Sequence, residues 1–270
     1  MRRSFVIVQQ RCFSDHILNV ERRNFAKYLE MNSPKTLNAL SLKMMDNLIN
    51  EISSLSVDDK CVVIKSSSKH FSAGHDLKEL KQNEACSQAS AVFTRCKELM
   101  TALKLAPVPV IAVIDGVALA GGCQLAASCD MVLASRKASF GLPGIKIGLF
   151  CTTPAVPVVR CLPTKLTFEM LCTGEPVCAE TAFKHGLVNK IADGSEQLHE
   201  MCDELVAKIA NHSREVIALG KSEFYNQLSK STLEEAYNSA TPVMTQNAEL
   251  EQCQEGITAF FDKRKPKFSS

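Results

Sequence analysis

Residues 107–133, PVPVIAVIDGVALAGGCQLAASCDMVL, decide how the rest of the chain is organised. Val110-Ile111-Ala112-Val113-Ile114 is a short apolar run rich in β-branched residues, which predicts a buried strand. Asp115-Gly116 ends it with turn chemistry. Ala120-Gly121-Gly122 comes four residues later, and Cys123-Gln124-Leu125-Ala126-Ala127-Ser128 then predicts a short buried helix. A strand, a glycine turn and a helix start leave backbone N–H groups without internal partners, free to face an anionic oxygen. Glycine permits close backbone approach at such a place. The same residues have a blander reading, in which small side chains merely let a helix pack tightly on a sheet.

Towards the N terminus the pattern recurs. Phe71-Ser72-Ala73-Gly74-His75-Asp76-Leu77-Lys78-Glu79-Leu80 passes from a strand end through a glycine into a helical turn. Before it, Cys61-Val62-Val63-Ile64 predicts a buried strand and Ser66-Ser67-Ser68-Lys69 a loop. Leu40, Met44, Leu48 and Ile52 recur every four residues, widened by Met45, Ile49 and Leu55, so Ser41 is the expected cap of an amphipathic helix. Residues 17–30 predict two strands joined by Glu21-Arg22-Arg23-Asn24. After position 80 a helix is expected near 87–103, with Val92, Phe93, Cys96, Leu99, Met100 and Leu103 on one face.

Beyond the organising stretch, Met131-Val132-Leu133 predicts a strand and Phe140-Gly141-Leu142-Pro143-Gly144 a loop. Helices are expected over 166–171 and 180–185, then a strand at Leu187-Val188-Asn189-Lys190-Ile191, with Gly186 suited to ending the second helix. From Leu198 the pattern is helical almost to the end. Strands alternating with helices, followed by helices alone, predict an α/β core over 15–197 and a helical region over 198–270.

Composition narrows the function classes. The 270 residues are 46% apolar and 22% charged with a net charge of +2, so no nucleic-acid surface is expected. Twelve cysteines occur without a Cys-x-x-Cys pair, several inside apolar runs, and read as free thiols of a reducing compartment. The six histidines show no metal-ligand spacing with them. Pro107, Pro109 and the glycine pair interrupt the most apolar stretch, so no membrane span is expected. The start, MRRSFVIVQQRCFS, holds three arginines and no acid before Asp15, which reads as a mitochondrial presequence over 1–14.

Taken together, Asn38-Ala39-Leu40-Ser41, Phe71 to Lys78, Asp115-Gly116 with Ala120-Gly121-Gly122-Cys123, Cys129-Asp130, Phe140-Gly141-Leu142-Pro143, Leu171-Cys172-Thr173-Gly174, His185-Gly186-Leu187-Val188-Asn189 and Glu255 to Phe260 resemble the enoyl-CoA hydratase/isomerase (crotonase) family. The resemblance spans about residues 18 to 268. It implies a crotonase-like spiral of strand-strand-helix repeats with an α-helical C-terminal trimerisation region, giving a homotrimer or dimer of trimers. It also implies an acyl-CoA or enoyl-CoA thioester as substrate or ligand, no further cofactor, and the mitochondrial matrix as location.

The family's shared chemistry is an oxyanion hole of two backbone N–H groups, which the resemblance places on His75 and Gly121. The side chain of His75 either turns to solvent or supplies a titratable group near the thioester. Ala73, Asp76 and Leu77 belong to the same matched segment as substrate-binding positions. Lys69 and Lys78 flank the first junction near the expected coenzyme phosphates, and Lys263 matches a lysine that reaches a nucleotide on a neighbouring subunit. Each of these lysines is otherwise a solvated surface residue.

One departure matters most. Hydratases of this family use two glutamates, and the spacing puts Gln124 and Gly144 in their places. Gln124 can hold a water but cannot exchange a proton near neutral pH, and Gly144 offers only backbone. Each lost group costs about 10²–10⁴ in rate, whereas an intact hole preserves a residual of about 10³ over water. Restoring both glutamates is expected to raise hydration, provided the pocket accommodates them. Three functions stay open: a fatty acyl-thioester binder with weak or no hydratase activity; an isomerase, thioesterase or decarboxylase using other groups such as His75 or Cys151; and a scaffold without coenzyme A. Cys151 is equally well a packed thiol.

Overall fold

A computed structural model describes residues 16–81 and 88–268. The expected presequence over 1–14 and the expected helix start at 87 lie outside them. In chain order the elements are β1 (Leu18–Arg23), β2 (Ala26–Met31), α1 (Leu42–Ser53), β3 (Cys61–Ser66), β4 (His70–Ser72), α2 (Leu77–Leu80), α3 (Ala89–Leu105), β5 (Val110–Ile114), β6 (Val117–Leu119) and α4 (Gly121–Ser128). There follow β7 (Met131–Ser135), β8 (Ser139–Gly141), α5 (Thr152–Val158), α6 (Thr164–Thr173), β9 (Val177–Cys178), α7 (Ala179–Lys184), β10 (Lys190–Ala192), α8 (Ser195–Ala210), α9 (Arg214–Gln227), α10 (Leu233–Glu249) and α11 (Glu251–Phe261).

Two sheets divide the strands. The larger has the order β1-β2-β3-β5-β7-β10 and the smaller β4-β6-β8-β9. Each pair of consecutive strands, β3 with β4, β5 with β6 and β7 with β8, sends one member to each sheet before the chain turns into helix. This is the expected strand-strand-helix spiral. All pairings are parallel except the β1–β2 hairpin and the β8–β9 edge.

Alternation along the central strands builds two cores. Val62, Ile64, Val110, Ala112 and Ile114 face inward with the α1 stripe of Met44, Met45, Leu48 and Ile52. Cys61, Val63, Ile111, Val113 and Leu133 face outward, against Leu198, Cys202 and Val206 of α8. Parallel strands buried on both faces read as continuous apolar runs, which is why β3 and β5 stand out in the sequence. The expected division at 197/198 falls inside α8, and this helix covers the large sheet. The helices packed away from the sheets are α9 to α11, in which only Ala259 is buried.

Asp130 ties that layer to the core. One carboxylate oxygen accepts from the Val110 N–H at 2.6 Å and from Lys221 Nζ at 2.7 Å, the other from the Tyr225 hydroxyl at 2.6 Å. Lys221 also donates to the Leu103 and Val108 carbonyls, so its buried ammonium is fully engaged.

Several expectations need correcting. The first hairpin turns at Asn24-Phe25, not over 21–24, because the ladder continues to Arg23↔Ala26. Both turn residues have positive φ, 51° and 63°, as a tight two-residue hairpin requires. The expected loop at 140–144 begins as β8, and β6 occupies residues 117–119, to which the sequence assigns no element between the Asp115-Gly116 turn and Ala120; three-residue strands carry too little periodicity to be read. The strand expected over 187–191 is displaced to Lys190–Ala192. Helix α4 begins at Gly121, two residues earlier than its apolar run.

Candidate functional site

The two glycine junctions meet. At the first, Gly74 has φ +100°, and a Cβ there would lie 2.9 Å from the Ala120 Cβ and 3.1 Å from the Gly121 nitrogen. At the second, Ala120 holds φ 46° and ψ −116° to start α4. A non-glycine residue in that conformation is strained by about 1–3 kcal/mol, a kind of cost concentrated at functional sites. Gly121 has no such requirement; what it provides is space, since a Cβ would sit 3.3 Å from His75 Nε2 and 3.4 Å from Leu40 Cδ1. Gly122 answers to the blander reading, because its Cβ would collide with the Ser72 carbonyl of β4.

Asn38 to Ser41 serve as the support of this junction. The buried Asn38 amide donates to Ser66 Oγ at 2.7 Å and to the His70 carbonyl at 3.0 Å, and accepts from the Ser33 N–H at 2.7 Å. The Leu37 carbonyl accepts from the Ala73 N–H at 3.0 Å, and the Leu40 N–H donates to the Gly74 carbonyl at 2.8 Å. A single parallel bridge joins Leu40 to His75. Among the described residues no backbone acceptor engages the His75 N–H or the Gly121 N–H. Gly121 is the first residue of its helix, where such N–H groups lack an acceptor.

The His75 side chain does not turn to solvent. Its Nδ1 lies 3.3 Å from the Leu40 carbonyl oxygen, and the Phe93 ring meets it edge-on with centroids 5.5 Å apart. Its Nε2 is buried without a partner. Burial holds the imidazole below its ordinary 6.5, partly offset by the hydrogen bond to Leu40. Gln124 is 4% exposed, and its amide oxygen accepts from the Cys96 thiol of α3 at 3.5 Å. Burial pushes that thiol up to about 12, so it remains a donor.

Gly144 is buried in a 3₁₀ turn (Pro143–Ile147), and a Cβ there would run into the Leu149 carbonyl and stand 2.7 Å from Cys151 Sγ. The proviso on restoring a glutamate at this position is therefore not met: backbone and sulfur already fill the space. Cys151 is a buried, packed thiol, raised in pKa by burial and partly lowered by the Gly144 backbone. Carboxylates close in sequence to the junctions are occupied elsewhere. Asp76 caps α2 through the Lys78 N–H, Glu79 accepts from Leu42 at the start of α1, and Asp115 accepts from Ser195.

Of the other expected residues, Ala73, Asp76 and Leu77 adjoin the junction and Leu77 and Lys78 are exposed, whereas Lys69 is exposed at the other end of β4, where its carbonyl lies against Gly116. Lys263 is exposed just past α11, in the C-terminal layer. Leu40, Phe93 and Cys96 are the residues that sequence reading did not place at the site. A concavity of about 670 Å³ lies away from the junctions, between α9 and α11, with Val216, Ile257, Phe260 and Phe268 in its lining.

Comparison with known proteins identifies the family and the fold. The model of a family described as enoyl-CoA hydratase/isomerase matches residues 21–270. Enoyl-CoA hydratase domain-containing protein 3, mitochondrial, of Rattus norvegicus is 42% identical over 255 residues, covering 94% of this chain and 84% of the relative. The crystal structure of the human enoyl Coenzyme A hydratase domain-containing protein 3 superposes with a TM-score of 0.90 at 41% identity, covering 94% of this chain and 100% of that one. An enoyl-CoA hydratase structure from Mycobacterium smegmatis reaches 0.91 at 37% identity, covering 95% of this chain and 100% of that one.

Proposed function

Because the chain belongs to the enoyl-CoA hydratase/isomerase family, we propose that it binds fatty acyl- and enoyl-CoA thioesters through the N–H groups of His75 and Gly121 and hydrates them slowly or not at all. The observation that supports this reading is the contact of Gly74 with Gly121, next to which neither the His75 N–H nor the Gly121 N–H has a backbone acceptor among the described residues. A thioester carbonyl that gains enolate charge is the oxygen such a pair stabilises. The proton inventory supports the second half: Gln124 cannot ionise and Gly144 has no side chain.

The chain acts in mitochondrial fatty acid metabolism, in keeping with the names of its relatives, and the matrix is the compartment we assign. We assign the exposed Lys69 and Lys78 to the coenzyme's phosphates. Phe224, Leu228, Tyr237, Met244, Phe260 and Phe261 of α9 to α11 and the turn after α9 are each more than half exposed, and we assign this surface to contacts between copies in a trimer or dimer of trimers.

The test is binding. Calorimetry with butyryl-CoA is expected to show one site per chain for the wild type. Gly121→Val, whose branched side chain meets His75 and Leu40, is expected to remain folded and lose binding. Equal affinity in the two proteins would overturn the assignment of the Gly121 N–H.

A further inference from the structure

We propose that His75 carries a proton to and from the bound thioester, so that the site's chemistry is removal and return of a proton at carbon rather than addition of water. The proposal rests on the thioester-binding reading above and adds the group that acts there.

Five described side chains hold a buried polar atom without a partner: His75, Asp115, Ser135, Thr167 and Glu223. His75 is the one of the five that belongs to the junction of the glycine turns. A buried acceptor left unpaired costs about 1–3 kcal/mol, so a native structure that keeps one calls for a reason. The rest of the ring is fixed. The Leu40 carbonyl can only accept, so Nδ1 bears the hydrogen and the neutral ring presents a lone pair on Nε2. The edge-on Phe93 ring holds its orientation. A base steered by an acceptor on its far nitrogen is the arrangement that proton-transfer sites use.

The lone pair also lies against the second glycine turn. Nε2 stands 3.3 Å from where a Gly121 Cβ would be, beside the N–H that begins α4. An oxygen held by that N–H has its α-carbon two bonds away. Burial lowers the pKa of the imidazole, partly offset by the hydrogen bond to Leu40, and so favours the neutral ring and the return of a proton once taken.

The step balances without a co-reactant. Nε2 takes the α-proton, the C–H electron pair becomes the new carbon–carbon π bond, and the carbonyl π pair moves onto oxygen as an enolate held by the two N–H groups. The proton then returns to the α-carbon. In a thioester with a double bond at C3 it can be delivered to C4 instead, moving the double bond to C2–C3. One carrier suffices for this. Hydration would need a second group to activate water, and the Gln124 oxygen is occupied by Cys96 while Gly144 has no side chain.

The experiment incubates the full chain with butyryl-CoA in D₂O, follows α-deuteration by mass spectrometry, and measures binding of the same thioester by calorimetry. The wild type is expected to exchange faster than buffer. His75→Gln is expected to bind equally and exchange about 10²-fold more slowly or worse, and His75→Ala to regain exchange with added imidazole. Binding without exchange in the wild type, wild-type exchange in His75→Gln, or no rescue of His75→Ala overturns the proposal alone. Absence of butyryl-CoA binding by the wild type overturns the thioester reading and the proposal with it.

Discussion

Gly144 and Cys151 pack so closely that position 144 has no room for a side chain: a Cβ there would stand 2.7 Å from the Cys151 sulfur and nearer still to the Leu149 carbonyl oxygen. The Leu149 N–H donates back to the Gly144 carbonyl at 2.9 Å, closing the turn on itself. The place that the resemblance gives to one glutamate is thus filled by backbone and thiol, not left as an empty socket.

Gly144→Glu is therefore expected to destabilise the protein by about 1–3 kcal/mol or more through overpacking. Combining it with Gln124→Glu adds a carboxylate facing the Cys96 thiol with no cation assigned to it. Chemical denaturation and a crotonyl-CoA assay check both effects. A double variant with wild-type stability and raised hydration would show that the turn can open.

Asp130 is expected to be the most sensitive anchor of the C-terminal layer. Asp130→Ala strands Lys221, whose side chain is only 7% exposed, and frees Tyr225. Breaking a buried pair in this way costs about 3–5 kcal/mol. Urea titration followed by far-UV circular dichroism reads it; a loss below about 1 kcal/mol would mean that other contacts hold α9 in place.

The depressed pKa of His75 fixes the sign of a pH effect. Below the ordinary imidazole value of 6.5 the unfolded chain binds a proton that the folded site resists, so this group favours folding above 6.5 and loses that contribution as pH falls. His75→Gln is expected to lose less stability than the wild type between about pH 7 and pH 5.5. Parallel melting curves over that interval decide it, and identical slopes would place the ring in water.

The exposed apolar surface of α9 to α11 leads to a hydrodynamic expectation. The wild type should sediment as a trimer or hexamer at micromolar concentration, and a chain ending before Asn247 should form a smaller assembly or precipitate. A monomeric wild type contradicts the role given to Phe224, Tyr237, Phe260 and Phe261.

How much of this was legible in the sequence follows from the reach of each signal. Strands β3 and β5 declare themselves because burial on both faces leaves unbroken apolar runs. Helix α1 does so through a four-residue recurrence and its cap, where Ser41 Oγ accepts from the Met44 N–H. The Gly74 and Gly121 turns could be found because they are local. The Leu40–His75 contact spans 35 residues and lies outside any periodicity, so the direction of the imidazole was not readable. Cys96 and Phe93 looked like two more members of an apolar helix face. Strands β6 and β8, three residues each, were hidden by neighbouring glycines, and the crowding of Gly144 arises from residues that only the folded turn brings together.

Crotonyl-CoA hydration, followed by loss of enoyl absorbance on the same preparation used for calorimetry, tests the central claim most directly. Saturable binding is expected together with turnover at least about 10²-fold below a median enzyme's roughly 10 s⁻¹. Turnover near that median would contradict it, because a site with Gln124 and Gly144 in these positions would then have found another way to activate water.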